Sequence, residues 1–152
     1  MNDPPEPSEL VTALVSNSHK FARLAGSFAP DGYPRTWLRA LGIFEDHGEL
    51  RVSEFAAHDR CSQPTATTTI RKLIDLGYLT RRIDPEDARA IQVTMTESGR
   101  EFLHTGRRAV AESITPLFAD LEPDQLRRIS DGLTEMRRAL TAALAPAATG
   151  ER

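Results

Sequence analysis

Apolar residues recur at Leu10, Val11, Leu14, Val15, Phe21, Leu24, Ala25 and Phe28. That spacing predicts one long amphipathic helix across residues 9–30 with a single apolar stripe. Two prolines and a glycine in Pro30-Asp31-Gly32-Tyr33-Pro34 end it in a loop. Trp37, Leu38, Leu41 and Phe44 predict a second, shorter helix closing near His47-Gly48, followed by an extended link, Glu49 to Val52. Ser53 suits an N-cap, whose hydroxyl accepts from the first free amides of a short helix carrying Phe55, Ala56 and Ala57. After a turn at Asp59-Arg60-Cys61, Ser62 is a second N-cap. The helix it opens runs from Gln63 to Leu76, with Ala66, Thr69, Ile70 and Leu73 inward and Gly77 at its end.

The period then changes. Tyr78 to Ile83 reads as a strand, and Ile91-Gln92-Val93-Thr94-Met95 alternates as the returning strand of a hairpin across the turn 84–89. Thr96 caps the next helix, whose apolar positions are Phe102, Leu103, Val110, Ile114, Leu117 and Phe118, with an interruption expected at Pro116. Glu122-Pro123-Asp124 opens the last helix. Its stripe, Leu126, Ile129, Leu133, Met136, Leu140 and Leu144, is close to a heptad seam. The expected fold class is mainly α with a small β-hairpin wing. Residues 1–8 and 146–152 are expected to be tails.

The chain has 152 residues, of which 27% are charged, with a net charge of −3. The total does not favour an anionic partner, but its distribution does: residues 62–82 hold Arg71, Lys72, Arg81 and Arg82 against the single acid Asp75. One cysteine excludes an intrachain disulfide and a multi-cysteine zinc site. The N-terminus lacks the basic start and apolar core of a secretory signal, and no apolar run reaches the roughly 18 residues of a membrane span. The expectations are therefore a cytoplasmic protein without a membrane partner.

Residues 53–76 read as a helix-turn-helix with the hairpin as a wing. An α-helix fits the major groove of double-stranded DNA, and residues near its N-terminus reach base edges. The outward positions Ser62, Gln63, Thr65, Thr67, Thr68, Arg71 and Lys72 are donors and acceptors suited to bases and phosphates. Three consecutive threonines are poor helix formers, and contact with phosphates and thymine methyls would justify them.

Residues 52–99 resemble the MarR family of winged-helix transcription regulators. The matching residues are Ser53-Glu54-Phe55-Ala56, Thr67, Leu73, Gly77-Tyr78-Leu79 and Arg81-Arg82. They continue with Asp84-Pro85-Glu86-Asp87-Ala88-Arg89 and Val93-Thr94-Met95-Thr96-Glu97-Ser98-Gly99. The flanking helices agree in number and length. The resemblance implies a DNA-binding domain over 34–99 and dimerisation helices over 9–30 and 100–145. It implies a ligand-responsive repressor that acts as a homodimer on a palindromic operator, with no cofactor. DNA contacts would come from Ser62, Gln63, Thr65, Thr67, Thr68, Arg71, Arg81 and Arg82. In the wing, Arg89 would enter the minor groove, and Asp87 would hold it or brace the wing. The dimer would be built on Leu10, Leu14, Phe21, Leu126, Ile129, Leu133, Met136 and Leu140. A small aromatic or amphipathic effector would bind in a cleft lined by Leu24, Phe28, Tyr33, Trp37 and Phe44. The sequence departs from the family at Thr68, where an arginine is common, and at Ile74, where an acid is common.

Other classes fit less well. His19, His47, His58 and His104 are scattered and form no nucleophilic triad, so no enzyme is expected. Cys61 before a helix N-cap offers a redox switch, against the plain alternative of a turn residue. Glu101 with His104, or His58 with Cys61, would need ligands from elsewhere to hold a metal, so none is assigned. A helical protein–protein interaction module is the remaining rival. It has no need of Arg81, Arg82 and Arg89 around a hairpin.

Overall fold

The structure, a computed structural model, describes residues 5–83 and 91–144. It falls into two compact units, divided between Ile114 and Thr115. The first contains α1 (Pro7–Gly26), α2 (Arg35–His47), β1 (Leu50–Arg51), α3 (Val52–Asp59), α4 (Gln63–Asp75), β2 (Leu79–Ile83), β3 (Ile91–Met95) and α5 (Glu97–Ile114). The second contains a 3-10 turn, Thr115–Phe118, and α6 (Pro123–Leu144). The mainly helical fold with a small antiparallel sheet is the class expected from the sequence.

The core draws on every element of the winged region. Leu41 and Phe44 of α2, Leu50 of β1, Phe55 of α3, Ala66, Ile70 and Leu73 of α4, Leu79 of β2 and Val93 of β3 are all buried in one cluster. Phe44 stacks on Phe55 at 5.2 Å between ring centroids. Truncating either ring to alanine would cost about 3–5 kcal/mol. Leu103 of α5 belongs to the same cluster and is fully buried. The expected end of the winged domain at residue 99 is therefore not an end of packing, because the first half of α5 helps to close its core.

Two local readings need correction. Ser53 is not an N-cap: α3 starts one residue earlier, at Val52, with Arg51 as its cap residue. Glu54 accepts a hydrogen bond from the Arg51 amide at 2.7 Å, which satisfies the backbone of the cap residue itself. The link at Leu50–Arg51 is a strand: it pairs antiparallel with β3, giving a three-stranded sheet in the order β1-β3-β2. The interruption expected at Pro116 is present: the long helix ends at Ile114 and gives way to the 3-10 turn.

The apolar stripe of α1 is largely exposed. No α1 residue is buried, and Leu10, Leu14 and Phe21 are 40–51% exposed. The same holds within α6, where no residue is buried and Leu126, Ile129, Leu133 and Leu140 are exposed.

Candidate nucleic-acid interface

Helix α4 is fixed by its inner face and presents its outer one. Ala66, Ile70 and Leu73 anchor it in the core, while Gln63, Thr65, Thr67, Thr68, Arg71 and Lys72 are exposed. Ser62 caps it as expected: its Oγ accepts from the Thr65 amide at 3.3 Å and lies 2.8 Å from Thr65 Oγ1. Those two hydroxyls are thus engaged in closing the helix end. Thr67 Oγ1 donates to the Gln63 carbonyl at 2.9 Å, and Thr68 Oγ1 donates to the Pro64 carbonyl at 3.0 Å. Such back-bonding accounts for how consecutive threonines are tolerated in a helix. Among the described residues, the Gln63 amide, the Arg71 guanidinium and the Lys72 ammonium have no hydrogen-bond or ion-pair partner. The outer face therefore joins unpaired cations to the positive end of a helix, a combination suited to a polyanion.

The turn that aims α4 is tightly held. Arg60 is the one described non-glycine residue with positive φ, at 54°, a left-handed conformation that strains a side chain. The Cys61 amide donates to the Ala56 carbonyl at 3.1 Å, and Arg39 of α2 holds Asp59 by Nε–Oδ1 contact at 2.8 Å. Partial burial, a hydrogen bond to Asp59 and the charge of that carboxylate raise the Cys61 thiol above its ordinary pKa. The charge of Arg39 and a backbone hydrogen bond act in the opposite direction and are outweighed.

In the wing, Arg81 pairs with Val93 and Arg82 with Gln92. Adjacent strand residues point to opposite faces, so the two arginines do not act together. Arg82 is bonded to the Glu49 carboxylate before β1, and its Nη2 lies 3.3 Å from Gln92 Oε1. It spans the sheet across β3 and braces the root of the wing. Arg81 is exposed and has no ion-pair partner among the described residues. Glu49 went unrecognised in the sequence; the polar Gln92 midway along an alternating strand was the only hint of that bridge. Asp87 and Arg89 lie outside the described residues.

A polar joint ties the end of α4 to the start of α5. Gly77, at φ 78°, turns the chain out of the helix. Thr96 Oγ1 donates to the Gly77 carbonyl at 2.6 Å and accepts from the Gly99 amide at 3.1 Å. Gly99 lies against the Tyr78 carbonyl so closely that a Cβ there would be 2.1 Å from its oxygen. The threonine and the glycine are thus required three residues apart.

The residues expected to line an effector cleft are dispersed. Phe44 is 2% exposed and belongs to the core, so it lines no cleft. Leu24 and Phe28 are exposed. Tyr33 and Trp37 instead converge on Phe102 of α5, at 5.1 and 6.2 Å, and Tyr78 stacks on the same ring at 4.4 Å. Phe102 and Tyr78 join this half-buried cluster because α2, α5 and the β2 entry meet there. The paired residues weighed as metal ligands have other neighbours. His104 Nε2 is 3.6 Å from Glu45, which Arg107 also binds at 2.6 Å, and His58 stacks on His47 at 3.8 Å. Among the described residues no group of three or more His, Cys, Asp or Glu could hold a metal ion. No described helix is long and apolar enough to cross a membrane.

The family model described as "MarR family" matches residues 34–91. An uncharacterized HTH-type transcriptional regulator of Mycobacterium bovis is 33% identical over 97 residues, covering 62% of this chain and 68% of the relative. The crystal structure of a transcriptional regulator from Thermotoga maritima superposes with a TM-score of 0.66 at 20% identity, covering 91% of this chain and 99% of that one. A MepR variant from S. aureus, bound to an oligodeoxyribonucleotide, gives a TM-score of 0.57 at 20% identity, covering 90% and 99%.

Proposed function

The chain belongs to the MarR family of DNA-binding transcriptional regulators rather than to an enzyme class, and from that premise we propose that it acts as a cytoplasmic homodimeric repressor on a palindromic operator. The carrying observation is the outer face of α4, with Gln63, Arg71 and Lys72 exposed and without partners among the described residues. This helix enters the major groove, Arg71 and Lys72 meet phosphates, and Arg81 adds a cation from the wing. Ser62 and Thr65 shape the helix end that faces the backbone. Arg89 supplies the minor-groove contact, and Asp87 holds that arginine or braces the wing. The oligonucleotide bound to the MepR variant supports the DNA ligand.

The uncovered stripes of α1 and α6 support the dimer. Leu10, Leu14 and Phe21 on one, with Leu126, Ile129, Leu133 and Leu140 on the other, expose apolar side chains that a second copy would bury. Met136, half-buried on α6, continues that stripe. Effector response is assigned to a small aromatic or amphipathic molecule acting at the Tyr33, Trp37 and Phe102 cluster.

The test is selection of duplexes from a random library, followed by footprinting. The expected footprint has twofold symmetry, with half-sites about 34 Å apart, one turn of DNA. Protection of a single unsymmetrical half-site, or tight binding to RNA alone, would refute the reading.

A further inference from the structure

We propose that the operator half-site is A·T-rich beneath the first two turns of α4, with Gln63 reading adenine and the Thr68 methyl packing on thymine. The inference rests on the reading that α4 enters the major groove, and it names the bases which that face accepts.

The helix start lacks the side chains that read guanine and cytosine best. Guanine presents two acceptors, O6 and N7, and is read best by arginine or lysine; cytosine presents an amine, suited to a carboxylate. The exposed side chains of residues 63–70 are Gln63, Pro64, Thr65, Thr67 and Thr68, none of them charged. Hydroxyls could still donate to guanine if they were free. They are not: Thr67 and Thr68 give their protons to the Gln63 and Pro64 carbonyls, and Thr65 is paired with Ser62. Each back-bonded threonine is left with a methyl group and oxygen lone pairs. Thymine is the base that offers a methyl in the major groove, and the adenine paired with it offers an amine that a lone pair can accept.

Gln63 is the first helical residue, roughly 140° around the axis from Thr68, and reaches the bases from the helix end rather than from the outward face. Its amide carries both a donor and an acceptor, and neither is engaged among the described residues. That pair matches adenine N7 and N6 in bidentate fashion. By helical geometry Thr68 lies at the middle of the outward face, opposite the buried Ala66, Ile70 and Leu73, where it is the side chain nearest the groove floor. Arg71 and Lys72 sit in the third turn, with Arg71 about 12 Å along the axis from Gln63. At that height they are placed for phosphates at the groove edge, not for the same base pairs.

The experiment combines selection from a randomised library with base analogues in the selected duplex. Deoxyuridine in place of thymine removes only the methyl, and 7-deazaadenine in place of adenine removes only N7. For the wild-type protein, deoxyuridine at the contacted step is expected to weaken binding about fourfold, the value of one buried methyl-sized group. The 7-deazaadenine duplex is expected to weaken it on the order of 5- to 100-fold. Thr68→Val keeps the methyl and retains the deoxyuridine penalty, whereas Thr68→Ser abolishes it. Gln63→Ala abolishes the 7-deazaadenine penalty, and Thr68→Arg shifts the selected base to guanine. Position 68 is exposed, and circular dichroism checks that each variant is folded. A symmetrical site with guanine beneath these turns, or a wild-type protein indifferent to both analogues, overturns this inference while leaving operator binding intact. Absence of any specific duplex binding would overturn the parent reading as well.

Discussion

Replacing Gly99 with alanine probes the joint that sets the recognition helix against α5. A Cβ at this position would lie 2.1 Å from the Tyr78 oxygen and 3.0 Å from Met95 Cγ. The obstacle is backbone, so it cannot swing aside. The start of α5 must withdraw by roughly 1.3 Å to reach an ordinary 3.4 Å contact. That motion stretches the bond from the Thr96 amide to the Tyr78 carbonyl, now 3.0 Å, and that from Thr96 Oγ1 to Gly77, now 2.6 Å. Each contributes about 1 kcal/mol net, and forced overpacking costs about 1–3 kcal/mol more. Alanine's better helix propensity returns about 1 kcal/mol. The net expectation is a destabilisation of about 2–4 kcal/mol, or a melting temperature lower by roughly 10 °C. Thermal and urea unfolding followed by circular dichroism, at matched protein concentration, measure it. Ser98→Ala, at the exposed neighbouring position, is the control and should stay within about 0.5 kcal/mol of wild type. If Gly99→Ala proved as stable as that control, the close approach of α5 to Tyr78 would be wrong, together with the physical account of the Thr96–Gly99 pair.

Charged residues at both Leu133 and Leu140 should yield monomers or aggregates in sedimentation velocity, and a stable wild-type monomer at micromolar concentration would remove the dimer from the mechanism. Arg81→Ala should lower the salt slope of operator binding by about one unit. Arg82→Ala should leave that slope unchanged, because its charge already faces Glu49, and the exposed pair contributes only about 0–1 kcal/mol to stability. Equal slopes for the two variants would contradict the opposite facing of these side chains. Because its pKa is raised, the Cys61 thiol carries less thiolate at any given pH than an ordinary cysteine. Iodoacetamide at mildly alkaline pH should therefore modify it more slowly in the folded protein than in urea, with Asp59→Asn speeding the reaction; a folded-state rate equal to that in urea would disprove this.

The parts of the protein legible in the sequence are those written in neighbours three or four residues apart. Ala66, Ile70 and Leu73 mark the inner face of α4, Ser62 its cap and Gly77 its exit, because helix periodicity and end satisfaction act within a turn or two of chain. The alternation of residues 91–95 likewise announced a strand. Those same local rules placed Thr67, Thr68, Arg71 and Lys72 outward, and all four are exposed in the structure. Tertiary structure decided whatever depends on which strand or helix lies alongside. Leu50–Arg51 is too short to declare itself a strand and becomes one only because β3 offers it a ladder. Arg81 and Arg82 look like one basic pair until register puts them on opposite faces, and Arg82 meets Glu49 33 residues away. Phe44 resembled a cleft aromatic until Phe55 stacked on it, while Phe102 gathered Tyr33, Trp37 and Tyr78 from three separate stretches of chain. Periodicity gives the direction a side chain takes from its own element, but its partner is chosen by packing between elements, where sequence distance carries no information.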